Sequence, residues 1–172
     1  MKWIPAAGAA VLLVTSSLAG AQPASPAPVL LIDSAGRVAA RALNETLMLV
    51  NVGGGVVAPA SIRPIYDADG RVASGLAAWQ TGGSVLFTSS DCTTGAHVHG
   101  SPHAGVRATA QVHTASGIVL HVGAVGTATA VPIRSILYDS GCASVTVREG
   151  GLFPVVMTFN LSAVHPPPLS FQ

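Results

Sequence analysis

The amino-acid sequence predicts an all-β protein, a single small β-sandwich or barrel-like domain of short antiparallel strands with one disulfide. Apolar runs of four to seven residues, rich in Val, Ile, Leu and Thr, recur about every ten residues between turn-forming Gly, Asp and Ser. No stretch after residue 28 keeps a helical apolar period over a dozen residues, so any helix should be minor. The runs are Val29–Ile32, Thr46–Val52, Ser84–Thr88, Val119–Val125, Ile133–Tyr138, Ser144–Val147 and Val155–Leu161.

Composition limits the size and the function class. The chain has 172 residues, which suits one domain and is too short for two of ordinary size. Eight Lys and Arg oppose seven Asp and Glu, so the basic excess of an electrostatic nucleic-acid binder is missing. With 49% apolar and 9% charged residues, the composition also differs from that of a disordered chain.

The first 21 residues have the pattern of a secretory signal peptide. Lys2 supplies a positive start, residues 6–18 are mostly apolar, and Ala19-Gly20-Ala21 fits the small-residue rule for cleavage. A membrane anchor is the alternative, but the uninterrupted apolar run is shorter than the ~20 residues of a span. Residues 22–28 are predicted to be an extended Pro/Ala linker and residues 29–172 the single β-domain. The predicted localisation is secreted or periplasmic.

Cleavage after Ala21 would change the charge balance. It removes the only lysine and leaves seven arginines against seven acids, a net charge of zero. Weak charge repulsion favours self-association or packing on a partner. We therefore expect a homo-oligomer or an envelope partner, and no transmembrane helix in the mature chain.

The two cysteines, Cys92 and Cys142, predict a disulfide. An exported chain occupies a compartment where disulfides persist, and one even pair favours a bridge over two metal-binding thiols. A bridge that closes about 50 residues would stabilise the fold by roughly 4 kcal/mol in the chain-entropy account.

Two segments of similar sequence predict tight hairpins. Residues 33–37 (DSAGR) and 67–71 (DADGR) each fit a three-residue loop, a type I turn that ends with Gly in the left-handed region. The leading Asp can accept a hydrogen bond from the backbone two residues on. The second segment also resembles part of a calcium loop, but it lacks the third acidic position and the distal Glu.

Glycines and one tryptophan predict further features of the β-domain. Gly53-Gly54-Gly55 and Gly82-Gly83 are interpreted as hairpin tips, and Trp79 as a core anchor. A third loop, residues 115–117, is predicted to contain three residues, because that length pairs Val112 with Leu120 and gathers the apolar side chains on one face. In this register the remaining polar face holds His113 and His121 together.

Five of the six histidines lie between residues 97 and 121 and form the one constellation suited to chemistry. His97 and His99 lie on the same side of a predicted strand, about 6.5–7 Å apart. With His103, His113 and His121 as further ligands, the cluster could bind Cu or Zn through neutral imidazole nitrogens. The alternative is a solvated polar face, since no neighbouring carboxylate is available to orient the rings.

Residues 95–100 (GAHVHG) resemble the Gly-x-His-Val-His strand motif of copper/zinc superoxide dismutases, which are all-β, are exported in many bacteria and have one internal disulfide. The resemblance implies that His97 and His99 ligate copper. It covers about six residues, and no Asp-containing zinc loop or later Gly-rich segment with Arg and Cys follows. Cys92 also precedes the histidines, whereas the first bridging Cys of that family follows them. We interpret the match as coincidental.

A second resemblance spans more of the chain. Residues 29–37 (VLLIDSAGR) and 86–92 (LFTSSDC), followed by a distant second cysteine and a Pro-rich tail, look like segments of a loose group of small exported proteobacterial proteins. This resemblance implies export and β-structure, and no particular activity.

No catalytic residue is assigned from the sequence. Nucleophile-elbow, zinc-protease and phosphate-loop motifs are missing, and a Ser–His–Asp triad that used Asp91 or Asp139 has no distinctive serine. An enzyme is therefore the less favoured class. The favoured prediction is an exported, disulfide-stapled β-domain, without a cofactor, that has a structural or adhesive role at the cell envelope or outside the cell. The alternative is a periplasmic Cu- or Zn-binding protein that uses the histidine cluster.

Overall fold

The computed structural model describes residues 27–100 and 105–172. The predicted signal peptide and residues 22–26 of the predicted linker lie outside these residues. The described chain is nearly all strand, with one short helix, so the predicted all-β class is confirmed. No helix within the described ranges has the length and apolar character needed to cross a membrane.

Six antiparallel strands form a closed barrel. They follow one another around it in the order β1-β12-β5-β4-β3-β2, so the first five strands form a meander and the last strand of the chain closes it. Their bounds are β1 Leu30–Ile32, β2 Val38–Ala42, β3 Leu47–Asn51, β4 Val57–Tyr66, β5 Val72–Trp79 and β12 Leu169–Phe171.

The segment between β5 and β12 builds a second antiparallel sheet with the order β10-β6-β7-β11-β9-β8. The pairing of β10 with β11 also closes the first four of these strands on themselves. The bounds are β6 Val85–Phe87, β7 Ala96–His99, β8 Thr109–Thr114, β9 Gly117–Gly123, β10 Thr129–Tyr138 and β11 Gly141–Asn160, followed by helix α1, Leu161–Val164.

The tight turns have the predicted geometry. In the first hairpin the Gly36 amide donates to the carbonyl of Asp33 at 2.9 Å, and Gly36 has φ +77°. The second hairpin repeats this arrangement at Asp67 and Gly70, which has φ +75°. The three glycines after β3 also form a hairpin tip, as predicted.

Two strand predictions are corrected by the structure. Gly82-Gly83 lies in the connection between the barrel and the second sheet and is not a hairpin tip, because β5 and β6 on either side of it belong to different sheets. The runs predicted at residues 144–147 and 155–161 largely belong to the single 20-residue strand β11. This strand pairs with β10 in its first half and with β7 and β9 in its second half, so its apolar pattern changes along its length.

The β8–β9 hairpin has a different register from the predicted one. Its turn has two residues, and Val112 pairs with Val119 instead of Leu120. The three-residue prediction is wrong because it assumes one buried face. In the structure Leu120 and Val122 belong to the barrel core, whereas Val112 belongs to a second core inside the other sheet. A hairpin that is apolar on both faces loses the alternation that fixes register.

Gln111 joins this hairpin to the barrel wall. Its side chain is buried, and Nε2 donates to the carbonyl oxygens of Ser61 at 3.1 Å and Gln80 at 2.9 Å. Its Oε1 accepts a hydrogen bond from the Ser61 amide. The carboxamide thus uses both donors and its acceptor, as a buried amide must.

Candidate functional site

The two cysteines form the predicted disulfide. Cys92, in the loop between β6 and β7, is bonded to Cys142 near the start of β11, with 6.0 Å between their Cα atoms. The bond excludes the metal-binding thiol alternative for these two residues. It ties the loop to the long strand at a sequence separation of 50 residues.

His97 and His99 lie on the same side of β7, as predicted, with buried Val98 on the other side. The Nδ1 atom of His97 is 2.8 Å from the carbonyl oxygen of Gly95. A carbonyl only accepts hydrogen bonds, so Nδ1 carries the proton and Nε2 is the nitrogen suited to bind a metal. Across the strands, His97 pairs with Leu86 and Pro154, which offer no ligand.

Of the other predicted ligands, the two that the structure describes, His113 and His121, do not join this pair. His103 lies outside the described residues. The register of the hairpin places His113 on the face of β8 that Gln111 shares, and His121 on the opposite face of the hairpin, so the two do not share a face as predicted. Within residues 27–100 and 105–172, no group of three His, Cys, Asp or Glu side chains lies close enough to hold a metal ion. Metal binding by the cluster stays a prediction.

His121 is instead a buried core residue. It is 8% exposed, pairs with Ala110 on one side and Thr158 on the other, and neither ring nitrogen has a described hydrogen-bond partner. Burial lowers the pKa of His121, because the imidazolium would lose its hydration there. The ring is therefore held neutral at one side of the second core.

Asp33 makes the predicted turn hydrogen bond and also side-chain contacts that the sequence analysis does not predict. The carboxylate of Asp33, at the start of the first hairpin, is wholly buried and contacts two cationic or potentially cationic side chains. Its Oδ2 accepts from Arg37 Nε and His165 Nδ1, each at 3.0 Å. Its Oδ1 accepts from the backbone amides of Ala35 and Arg37 at 2.9 and 3.0 Å. We call Asp33, Arg37 and His165 the Asp33 clamp.

The clamp holds the chain just before β12. Arg37 Nη2 donates to the carbonyl of Val164, and the Ser34 amide donates to the carbonyl of Pro166 at 3.1 Å. The His165 carbonyl in turn accepts from Nε1 of Trp79 at 2.9 Å. Trp79 is 1% exposed in the barrel core, so it is the predicted core anchor and also a partner of the clamp.

The electrostatics of the clamp keep Asp33 ionised. Burial alone would raise the pKa of Asp33, but hydrogen bonds from the Arg37 amide, the His165 ring, the Arg37 guanidinium and the Ala35 amide lower it to about 2. An Asp–His pair of this kind also orients the base in hydrolases. In the described part of the chain no serine hydroxyl hydrogen-bonds the His165 ring, whose contact with Asp33 links residue 165 to the first hairpin.

One mouth of the barrel has an apolar pocket of about 260 Å³. Ile62 and Ala77 at its base belong to the barrel core and are 3% and 1% exposed, whereas Val72 and Phe171 are 58% and 38% exposed. Glu45 and Arg63 also line the pocket and supply one charge of each sign. We call this the barrel-mouth pocket. Barrel mouths are common ligand sites because they expose apolar interior side chains.

A second cleft, of about 330 Å³, lies where the barrel meets the second sheet. Its lining is polar and includes Ser61, Gln80, Ser84 and Gln111, and His99 is the predicted site residue that reaches it. The Gln111 amide at this place is already saturated by backbone partners. The cleft therefore offers exposed hydrogen-bonding groups beside a carboxamide whose own hydrogen bonds are already made.

Comparison with known proteins finds no family model that matches the chain, no similar curated protein and no similar solved structure. The function has to be inferred from the chain's own residues.

The clamp predicts a specific effect of Asp33→Asn. The neutral amide cannot accept four hydrogen bonds or pair with Arg37, so we expect a loss of about 2 kcal/mol in the free energy of unfolding at pH 7. In the wild type, stability should be full above the unfolded pKa of about 3.8 and should fall as the pH drops towards 2, because the folded pKa is lowered. Asp33→Asn should lack this acid-dependent step. Urea unfolding monitored by Trp79 fluorescence between pH 2 and pH 7 measures both effects.

Asp67→Asn is the matched control, because Asp67 begins the second hairpin and makes the same backbone hydrogen bonds without a link to residues 164–166. It should cost well under half as much. Equal losses in the two variants would show that the turn, and not the clamp, explains the effect.

The burial of His121 predicts a second dependence of the free energy of unfolding on pH, nearer to neutral pH than that of Asp33. Its folded pKa is lowered, so the unfolded state binds more protons and the free energy of unfolding should fall as the pH drops below about 6.5. His121→Leu removes the buried imidazole, and we expect its unfolding midpoint to be nearly flat from pH 7 to pH 5. His113→Leu changes the one exposed residue of β8 and should retain the wild-type slope. An unchanged slope in His121→Leu would contradict the assignment.

Proposed function

We propose that this protein is an exported, disulfide-stapled β-domain with an adhesive role at the cell envelope or outside the cell. It binds an apolar group of its partner in the barrel-mouth pocket. The proposal rests chiefly on the combination of exposed apolar side chains, Val72 and Phe171, with a cavity that reaches core residues. Exposed apolar patches around a cavity are typical of binding surfaces.

The pocket has chemistry that suits a binding site. Burial of apolar surface contributes about 25 cal/mol per Å², from which the cost of association must be subtracted. The lining has one acidic side chain, Glu45, and one cationic side chain, Arg63. Such a pair can orient a polar group of the partner, but it gives little net charge attraction. A net charge of zero after removal of residues 1–21 leaves little net repulsion between the domain and a charged surface.

Export is supported by two independent features. Residues 1–21 have the composition of a signal peptide. The Cys92–Cys142 disulfide belongs to the type of bond that persists in the periplasm and outside the cell and is rare in the cytosol. The Cu- or Zn-binding alternative rests on His97 and His99 without a third ligand in the described chain, so it is not advanced as the function.

The test compares two valine substitutions on chains that begin at Gln22. Val72→Asp places a carboxylate in the lining of the pocket, and we expect at least a tenfold loss of co-sedimentation with envelope membranes from the source cells, because an apolar contact cannot solvate the charge. Val156→Asp is the control, since Val156 is 61% exposed on β11 and lies away from the pocket. Equal losses in both variants, or a wild-type chain that does not sediment with the membranes, would contradict the proposal.

A further inference from the structure

The barrel depends on a strand that is far from its neighbours in sequence. Residues 30–79 form a five-stranded meander whose two edges, β1 and β5, do not pair with each other. The C-terminal strand β12 fills the gap and pairs with both edges. Without β12 the meander would present two unpaired edges, which are templates for another strand.

The contacts of β12 with the barrel are made by residues 169–172 alone. Leu169 is fully buried in the barrel core, and the strand makes two residue pairs with β1 and two with β5. Beyond them Leu30 and Gln172 exchange two backbone hydrogen bonds, at 2.8 and 2.9 Å. Any copy of residues 169–172 that lies in this gap makes the same contacts, whichever chain it belongs to.

The connection to β12 suits an exchange. Two prolines, Pro167 and Pro168, separate β12 from residues 164–166, which the Asp33 clamp and the Ser34–Pro166 hydrogen bond hold. Pro167 and Pro168 are exposed, and prolines have no amide hydrogen to bond to the ladder. A short connection between a fixed segment and a terminal strand is the kind of hinge that invites strand exchange. The Asp33 clamp thus fixes the residues before the connection, whereas β12 itself is held by its pairing with β1 and β5 and by the burial of Leu169.

We propose that β12 closes the barrel of a second copy of this chain, so that two copies exchange C-terminal strands and form a two-fold dimer. The exchange keeps every contact of β12 and changes only which chain supplies it, which makes strand swapping a low-cost route to a dimer. A tethered strand has an effective concentration in the millimolar range, so the monomer dominates in dilute solution and the exchanged dimer at high local concentration.

The exchange also alters the barrel-mouth pocket. Phe171 on β12 lines that pocket, so in the dimer each pocket contains a Phe171 from the other copy. The dimer itself does not depend on the proposed adhesive function, because its contacts lie in the ladder and the core. Failure of envelope binding therefore leaves the strand exchange untouched, and the reverse also holds.

A cross-linking experiment tests the exchange with two variants that each have one added cysteine beside the native Cys92–Cys142 disulfide and that carry different affinity tags. Leu30→Cys is made in one chain and Gln172→Cys in the other, because a hydrogen-bonded strand pair has a Cα separation of about 5.5 Å, within disulfide range. The chains are mixed at about 1 mM, partly unfolded in urea, returned to buffer and oxidised. We expect a disulfide-linked heterodimer on a non-reducing gel, at least fivefold more abundant than with Val125→Cys in place of Leu30→Cys.

The wild-type chain supplies a second readout that needs no substitution. After the same treatment, light scattering on a size-exclusion column should show a dimer that persists on dilution, because return to the monomer requires the barrel to open. Cross-linking no greater than the Val125→Cys control, together with a wild-type chain that is monomeric at all concentrations, would overturn the proposal.

Discussion

Closure of the barrel depends on one buried carboxylate. Asp33 contacts Arg37 and His165, and these contacts hold residues 164–166 beside the gap that β12 fills. A buried charge is costly unless hydrogen bonds compensate for its lost hydration. Four donors surround Asp33, and their joint effect is a pKa of about 2 despite burial. The clamp therefore works only as a complete set, and the loss of any one member leaves the others in an unfavourable environment.

The second sheet is attached to this barrel through a hairpin that serves two cores. Leu120 and Val122 complete the barrel core, while Ala110 and Val112 pack in the other sheet. Gln111, between the latter two, reaches back to the barrel wall through its carboxamide. The Cys92–Cys142 bond then fixes a loop of the second sheet. The described chain thus combines a barrel core and a second core that share one hairpin, with a small third cluster of Leu86, Ile133 and Leu152 in the second sheet.

Local chemistry explains which features the sequence predicts well. The all-β class, the Asp–Gly turns, the burial of Trp79 and the disulfide each follow from a short pattern or from a residue count. The β8–β9 register does not, because a hairpin buried on both faces has no polar face to fix the pairing. The sequence also does not indicate the length of β11, because its strand partners, and with them its apolar pattern, change along its length.

The site was harder to predict because its residues are distant in sequence. Asp33 and His165 are 132 positions apart, and His165 is the one histidine outside residues 97–121. The DSAGR and DADGR turns have nearly the same local signal, yet only Asp33 is buried against the C-terminal segment. The contact between this one turn and the Pro-rich tail depends on the tertiary fold, and no local sequence pattern indicates it. The barrel-mouth pocket, with Phe171 in its lining, is likewise formed only when β12 is in place.

Amide hydrogen exchange across the barrel tests most directly whether the Asp33 clamp secures β12. The amides of Leu30 and Gln172 report on the gap, because each donates to the other residue's carbonyl, and the amides of the β3–β4 hairpin report on the rest of the barrel. In Asp33→Asn, exchange at Leu30 and Gln172 should accelerate by tenfold or more while the β3–β4 amides keep their protection. Equal acceleration at both places, or none at Leu30 and Gln172, would contradict the account.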